Sequence, residues 1–190
     1  MNSKILTITG ISGVGKSFLL NEVLKMDPVL YNAFTIVEFG SLRRNYLKEN
    51  NIPSEEITLT SLEVITNDII SKIDSSKPII LISHLLFKTG PYFLLSPTNE
   101  EKFSPNQYVL IEGDPKKIID WKENDETRTR ERLSVEQILF MQDLLTFYLI
   151  KLSSEMNVDL VRIKNNSFSA DKLCETLHLY LKKISHEQKD

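Results

Sequence analysis

An α/β fold, a parallel sheet with helices on both faces, is predicted by three features of this 190-residue chain. Short apolar, β-branched runs alternate with helix-patterned segments from end to end, which is how a parallel sheet is built. A glycine-rich stretch, Gly10-Ile11-Ser12-Gly13-Val14-Gly15-Lys16-Ser17, joins the first such run to the first helical pattern. No internal repeat, low-complexity tract or long linker divides the chain, and its length suffices for one well-buried core without disulfide or metal staples. A single domain over residues 1–190 with five parallel strands is therefore expected.

The elements follow in order. Lys4–Thr9 is the first strand, and Phe18, Leu19, Leu20, Val23 and Leu24 set helical spacing over Lys16–Lys25. Thr35–Phe39 is the second strand, followed by a helix over Ser41–Glu49 and a longer one over Glu55–Ile73 that Ser54 can cap. Pro78–Ser83 is the third strand. The Pro-, Ser-, Thr- and Asn-rich segment Lys88–Asn106 after it is expected to be a long functional loop. Gln107–Glu112 is the fourth strand and leads into Asp114-Pro115, an N-cap with proline at the first position of a helix over Pro115–Glu123. Ser134-Val135-Glu136-Gln137 is a capping box for a helix over Val135–Ser154. Ile138, Leu139, Phe140, Leu144, Leu145, Phe147, Leu149 and Leu152 cover most of that helix, so it is expected to be central, with its aromatics in the core. Val158–Ile163 and a helix over Ala170–Ile184, capped from Ser169, complete the domain.

Gly10–Ser17 is a complete G-x-x-x-x-G-K-[ST] phosphate-binding loop in the strand–loop–helix context that the motif requires. Glycines let the backbone turn its N–H groups around phosphate oxygens, and the following helix points its positive end at them. Lys16 adds a charge toward the β and γ phosphates, and the Ser17 hydroxyl can ligate Mg²⁺. A P-loop NTPase that binds a nucleoside triphosphate with Mg²⁺ is the expectation, with the whole loop (Gly10, Ile11, Ser12, Gly13, Val14, Gly15, Lys16 and Ser17) as the nucleotide cradle. The 23 basic and 26 acidic residues nearly balance, which argues against a broad nucleic-acid footprint. The single cysteine, Cys174, cannot form an internal bridge and reads as a small apolar core residue. The apolar run around Pro78–Phe87 is too short to span a bilayer, and with the first strand expected from Lys4 no cleavable leader is expected. A soluble cytoplasmic protein is expected.

Beyond the loop, the chain resembles archaeal-type adenylate kinases, and more distantly the adenylate kinase/ATPase proteins associated with ribosome assembly. The residues that carry the resemblance are Gly10–Ser17, Glu38-Phe39-Gly40-Ser41, Ser83-His84, Lys88-Thr89, Asn124–Arg130 and Lys164-Asn165-Asn166. The resemblance implies phosphoryl transfer from ATP to a nucleoside monophosphate, AMP giving two ADP, with acceptor-binding helices at about 40–76 and a short arginine lid at about 121–134. It implies a homotrimer as well. Gly40, Ser41, Arg44, His84 and Lys88 would bind the acceptor, with Gly40-Ser41 in the turn where its phosphate lands and Arg44 favoured over Arg43. Arg128 and Arg130 would join Lys16 in stabilising the transferring phosphoryl group. The alternative for the two arginines, and for Lys122 and Arg132, is a charged surface helix. Asn165 would lie where the family's loop faces adenine.

Three departures stand out. The third strand of these kinases usually ends in Asp-Thr-His, and here it ends in Ile82-Ser83-His84, without the carboxylate that helps hold hydrated Mg²⁺. Glu38 or Glu112 could substitute, or both could be structural. His84 has two readings, orienting a water or the Mg²⁺ shell, and making an ordinary strand-end hydrogen bond. The basic acceptor-domain stretch is replaced by Ile57-Thr58-Leu59-Thr60, and the glycines and prolines of the loop after the third strand are mostly gone. The leading reading is an adenylate-kinase-type phosphotransferase. The alternatives are an ATPase-type assembly factor acting on a ribonucleoprotein partner and a nucleotide-binding protein that has lost catalysis.

Overall fold

The computed structural model describes residues 4–52, 68, 73, 76–89, 92–95, 104–124, 132–166 and 169–186. Five parallel strands form one sheet in the order β2-β3-β1-β6-β7: β1 (Ile5–Thr9), β2 (Thr35–Glu38), β3 (Ile79–Ile82), β6 (Gln107–Glu112) and β7 (Asp159–Lys164). Every residue of the interior strands β1 and β3 is buried, while the edge strands β2 and β7 are only partly so. A parallel sheet covered on both faces requires that pattern, and it explains why Ile79-Ile80-Leu81-Ile82 reads as a continuous apolar run. The alternation of the strand sorts side chains between the faces. Leu6, Ile8, Ile80 and Ile82 join the main core, whereas Ile5, Val37, Ile79 and Leu81 pack with Phe39 and Leu47 in a second cluster.

Helix α1 (Lys16–Met26) ends at Asp27, which caps the short α2 (Pro28–Ala33) by accepting from the backbone N–H groups of Val29 at 2.9 Å and Leu30 at 3.4 Å. The sequence reading had no helix there, although Asp-Pro is the same start signal that it used at Asp114-Pro115. Helix α3 (Phe39–Glu49) follows β2 without a break. The helix therefore starts two residues before the expected Ser41, and Gly40 and Ser41 both lie in its first turn. The helices α4 (Pro115–Glu123), α5 (Val135–Met156) and α6 (Ser169–His186) match expectation, with Asp114 capping α4 and the capping box of Ser134 and Gln137 opening α5.

Two expectations are corrected. Leu86–Thr89 (β4) and Tyr92–Leu95 (β5) pair antiparallel, so the segment read as a loop from Lys88 onward begins as a hairpin, with Lys88 opposite Phe93. Helix α5 is not buried all round: Ile138, Met141, Leu145 and Leu149 face the core, but Phe140 and Phe147 are 52% and 79% exposed. The helix packs against the sheet on one side only, so these two aromatics are not core, whereas Tyr148 packs against the core partly buried. No helix among the described residues is long and apolar enough to cross a membrane.

The helix expected over Glu55–Ile73, apart from Asp68 and Ile73, lies outside the described residues, as does the lid segment 125–131 with Arg128 and Arg130.

Candidate active site

The loop leaves β1 at its C-terminal end and is pinned from below by its own apolar residues. Ile11 and Val14 are buried, and the Val14 N–H returns to the Ile11 carbonyl at 3.4 Å. Ser12 between them is exposed and Ser17 half-buried. Gly15 is the N-cap of α1 with φ of 90°, a left-handed conformation that glycine adopts without strain. Gly10 is also at positive φ, and a Cβ there would strike the Ile111 carbonyl oxygen of the neighbouring strand.

Two side chains from distant segments brace this turn and the neighbouring end of β6. The Asn165 amide, just past β7, donates to the Val14 carbonyl at 2.8 Å, and its own N–H donates to the Glu112 carbonyl at 2.6 Å. A Cβ on Gly15 would lie 2.6 Å from that amide nitrogen. The side chain of Asn165 thus holds the loop. Gln142 on α5 makes a two-way clamp on Gly113: it accepts from the Gly113 N–H at 2.8 Å and donates to its carbonyl at 3.0 Å. Neither brace was anticipated, although a glutamine beside the buried stripe of an apolar helix is the kind of signal that points to one. The stem of Lys122 lies over Gly13, so this lid candidate covers the loop directly.

Lys16 is buried, with 5% of its surface exposed. Its ammonium donates to the Gly10 carbonyl at 2.8 Å and the Ile11 carbonyl at 3.0 Å, and stands 3.2 Å from His84 Nδ1. A protonated amine can only donate, so Nδ1 accepts and the His84 proton sits on Nε2. The third-strand histidine, left open between two roles in the sequence, is thereby brought to the loop lysine.

On its other side His84 meets the start of α3. A Cβ on Gly40 would stand 4.0 Å from His84 Cδ2 and 3.6 Å from a guanidinium nitrogen of Arg44, so the missing side chain leaves space between the two. Arg44 is exposed and donates to Ser41 Oγ at 2.8 Å, and that hydroxyl donates to Glu38 Oε2 at 3.0 Å. Arg43 points inward, where burial lowers its affinity for a proton and Arg44 adds repulsion. That orientation favours Arg44 as the group facing a ligand. Lys16, His84, Gly40, Ser41 and Arg44 therefore line one continuous stretch. Lys88 belongs to β4.

The two substitute carboxylates separate clearly. Glu112 accepts two bonds from Arg162, at 2.7 and 3.0 Å, and one from Thr146 at 3.5 Å. That bidentate pair fastens β6 to β7 and occupies both oxygens. Glu38 is level with Ile82 in the pairing of β2 with β3, hence on the same face of the sheet and one strand spacing away.

Comparison with known proteins agrees with this geometry. The AAA domain family model matches residues 9–139, from the end of β1 into α5. The chain is 28% identical to the adenylate kinase of Methanocaldococcus jannaschii and to that of Pyrococcus abyssi, each covering 96% of this chain and 100% of the relative. Against the adenylate kinase of Thermoplasma acidophilum it is 26% identical over 72% of this chain and 76% of that protein. Among solved structures, a gluconokinase from Sinorhizobium meliloti superposes with a TM-score of 0.52 at 11% identity, covering 99% of this chain and 97% of that one. A shikimate kinase from Bacteroides thetaiotaomicron gives 0.52 at 10% identity, with coverages of 94% and 98%. These two share the fold. With its phosphate loop at the end of β1, a five-stranded parallel sheet and a family match over well more than half its length, the chain belongs to the AAA domain family and is similar to archaeal adenylate kinases.

Proposed function

We propose that this chain is an adenylate-kinase-type nucleoside monophosphate kinase, transferring the γ-phosphoryl group of ATP to AMP and producing two ADP. The observation that supports the reading most is the contact of Lys16 with His84, because it joins the phosphate loop to the stretch formed by Gly40, Ser41 and Arg44. A lysine at the transferring phosphate and an arginine at the acceptor phosphate, on either side of one histidine, suit in-line transfer between two bound nucleotides.

In this reading the loop N–H groups and Lys16 bind the phosphates of ATP. Lys16 exchanges its carbonyl partners for phosphate oxygens, and His84 keeps its ammonium directed at the loop. Arg44, with its guanidinium steadied by Ser41, holds the acceptor phosphate, and Lys88 adds charge from the hairpin. By the resemblance to archaeal-type adenylate kinases, Arg128 and Arg130 balance the charge spread over the oxygens of the reacting phosphoryl group. Asn165 keeps the loop in its curved form and leaves backbone atoms to meet adenine.

The residues present suit Mg²⁺. Ser17 lies in the first turn of α1 beside the loop, and Glu38 offers a carboxylate level with the position where Ile82 replaces the usual aspartate. Ser17 would ligate the ion and Glu38 would accept from its water shell, Glu112 being engaged by Arg162. When bound, the ion would neutralise charge on the phosphates. AMP as acceptor, a cytoplasmic location and a homotrimeric assembly are the finer parts of the proposal and rest on the resemblance to archaeal-type adenylate kinases.

A coupled assay of ADP formation from ATP, run with a panel of nucleoside monophosphates and with no acceptor, tests the reading. ADP formation that depends on AMP and exceeds that with other monophosphates is expected. Equal rates with and without any acceptor would overturn it.

A further inference from the structure

At the end of α1 away from the phosphate loop, three potential metal ligands converge. Asp27 ends α1 and caps α2, while Cys174 and His178 stand one turn apart on α6. A spacing of four residues puts both on one helical face. One ligand atom from each of the three lies within 4.8 Å of the other two. We propose that Asp27, Cys174 and His178 form a binding site for Zn²⁺ that fastens the C-terminal helix to the junction of α1 and α2.

The donor set is one sulfur, one imidazole nitrogen and one carboxylate oxygen. That mixture suits Zn²⁺ and is unsuited to Mg²⁺ or Ca²⁺, which take oxygen ligands. Tetrahedral zinc holds such donors about 3.3–3.7 Å apart, inside the present spread, so small side-chain rotations close the site. The carboxylate is already oriented. Its Oδ1 accepts from the N–H groups of Val29 and Leu30, which leaves Oδ2 to face His178 Nε2 at 2.7 Å. The ion replaces that hydrogen bond: Nε2 becomes the ligand atom and the ring proton moves to Nδ1. Cys174 loses its thiol proton to solvent, and the thiolate and carboxylate together neutralise the dication, with water completing the coordination. Burial, reinforced by the negative charges of Asp27 and Asp171, raises the Cys174 thiol above its usual range, so binding of the ion has to displace the thiol proton. Entry is open, since the side chains of His178 and Asp27 are 49% and 23% exposed. Cys174 is half-buried, so the apolar-core role that the sequence suggested for it holds only in part.

Co²⁺ is a direct probe, because Cys174 is the chain's single cysteine and any thiolate-to-cobalt absorption must come from it. Titration of the full chain with Co²⁺ should give a near-ultraviolet charge-transfer band saturating at one equivalent, displaced by one equivalent of Zn²⁺. Cys174→Ser should abolish the band, and His178→Ala should weaken Co²⁺ binding at least ~10-fold. Asp27→Asn, which retains the capping oxygen, should weaken it as well. Zn²⁺ at roughly 100-fold above its Kd should raise Tm by about 5–10 °C in the wild type and not in Cys174→Ser. Absence of the band, or a Zn²⁺-dependent Tm shift that survives in Cys174→Ser, would overturn the proposal. All three variants keep α6 and the cap of α2 intact by circular dichroism if the site is needed only for metal.

Discussion

Replacing Lys16 with methionine isolates the charge on which the proposed chemistry depends. Lys16 is 5% exposed, so truncation to alanine would empty a packed site as well as remove a charge. Methionine keeps the apolar stem and removes only the ammonium. The ammonium donates to the Gly10 and Ile11 carbonyls at 2.8 and 3.0 Å. Losing those bonds costs about 1–3 kcal/mol, offset in part because a charge is no longer held away from water. A fall in Tm of only a few degrees is expected. In the transition state the same ammonium would make about two charge-assisted bonds to phosphate oxygens, each contributing roughly 1.5–3 kcal/mol. The total of about 3–6 kcal/mol corresponds to a 10²–10⁴-fold loss of kcat at ~1.4 kcal/mol per tenfold. Steady-state kinetics with ATP and AMP, alongside a thermal melt, give both numbers. A folded Lys16→Met protein with kcat within about tenfold of wild type would refute the assignment of Lys16 to the transferring phosphate.

Four further outcomes follow from the geometry. Asn165→Ala removes the bond to the Val14 carbonyl and should lower stability by about 1 kcal/mol while raising the KM for ATP, measured by urea unfolding and kinetics. Glu38→Gln should shift the Mg²⁺ midpoint upward without changing the fold, whereas Glu112→Gln should destabilise the pairing of β6 with β7; a Mg²⁺ titration beside a melt separates them. Arg44→Ala should raise the KM for AMP far more than that for ATP, and equal effects would remove it from the acceptor site. The hydrogen bond from Ser134 holds the Glu136 carboxyl below its ordinary value of 4.5, so its stabilising contribution is present above that pH and fades as pH falls through the lowered value. The Tm difference between wild type and Glu136→Gln should therefore be present at neutral pH and vanish in acid.

How far the sequence could be read follows from how local each feature is. The phosphate loop was legible because its glycines, Lys16 and Ser17 are contiguous and their backbone demands are met within one turn. Capping side chains placed the starts of α4 and α5 within the chain itself, for the same reason. The hairpin of β4 and β5 is hidden by a loop-like composition of Pro, Ser, Thr and Asn around a strand-like pattern. Leu85-Leu86-Phe87 and Tyr92-Phe93-Leu94-Leu95 flank Gly90-Pro91, a turn signal between two apolar runs. Exposure on α5 was not legible, since apolar spacing identifies a helix face without saying whether another layer covers it. The contacts that organise the candidate site were out of reach for a different reason. Lys16 meets His84 across 68 residues, Gly113 meets Gln142 across 29 and Glu112 meets Arg162 across 50. Such pairs depend on the strand order β2-β3-β1-β6-β7, which no local pattern encodes.

The fate of the γ-phosphoryl group tests the central claim most directly. ATP labelled in its γ-phosphate is incubated with the protein, Mg²⁺ and excess AMP, and the products are separated early in the reaction. Phosphoryl transfer predicts that the label appears in ADP, in step with AMP consumed, and that omitting AMP leaves the labelled ATP almost intact. Label released chiefly as inorganic phosphate, at a rate indifferent to AMP, would contradict the kinase assignment and make the chain a nucleotide hydrolase.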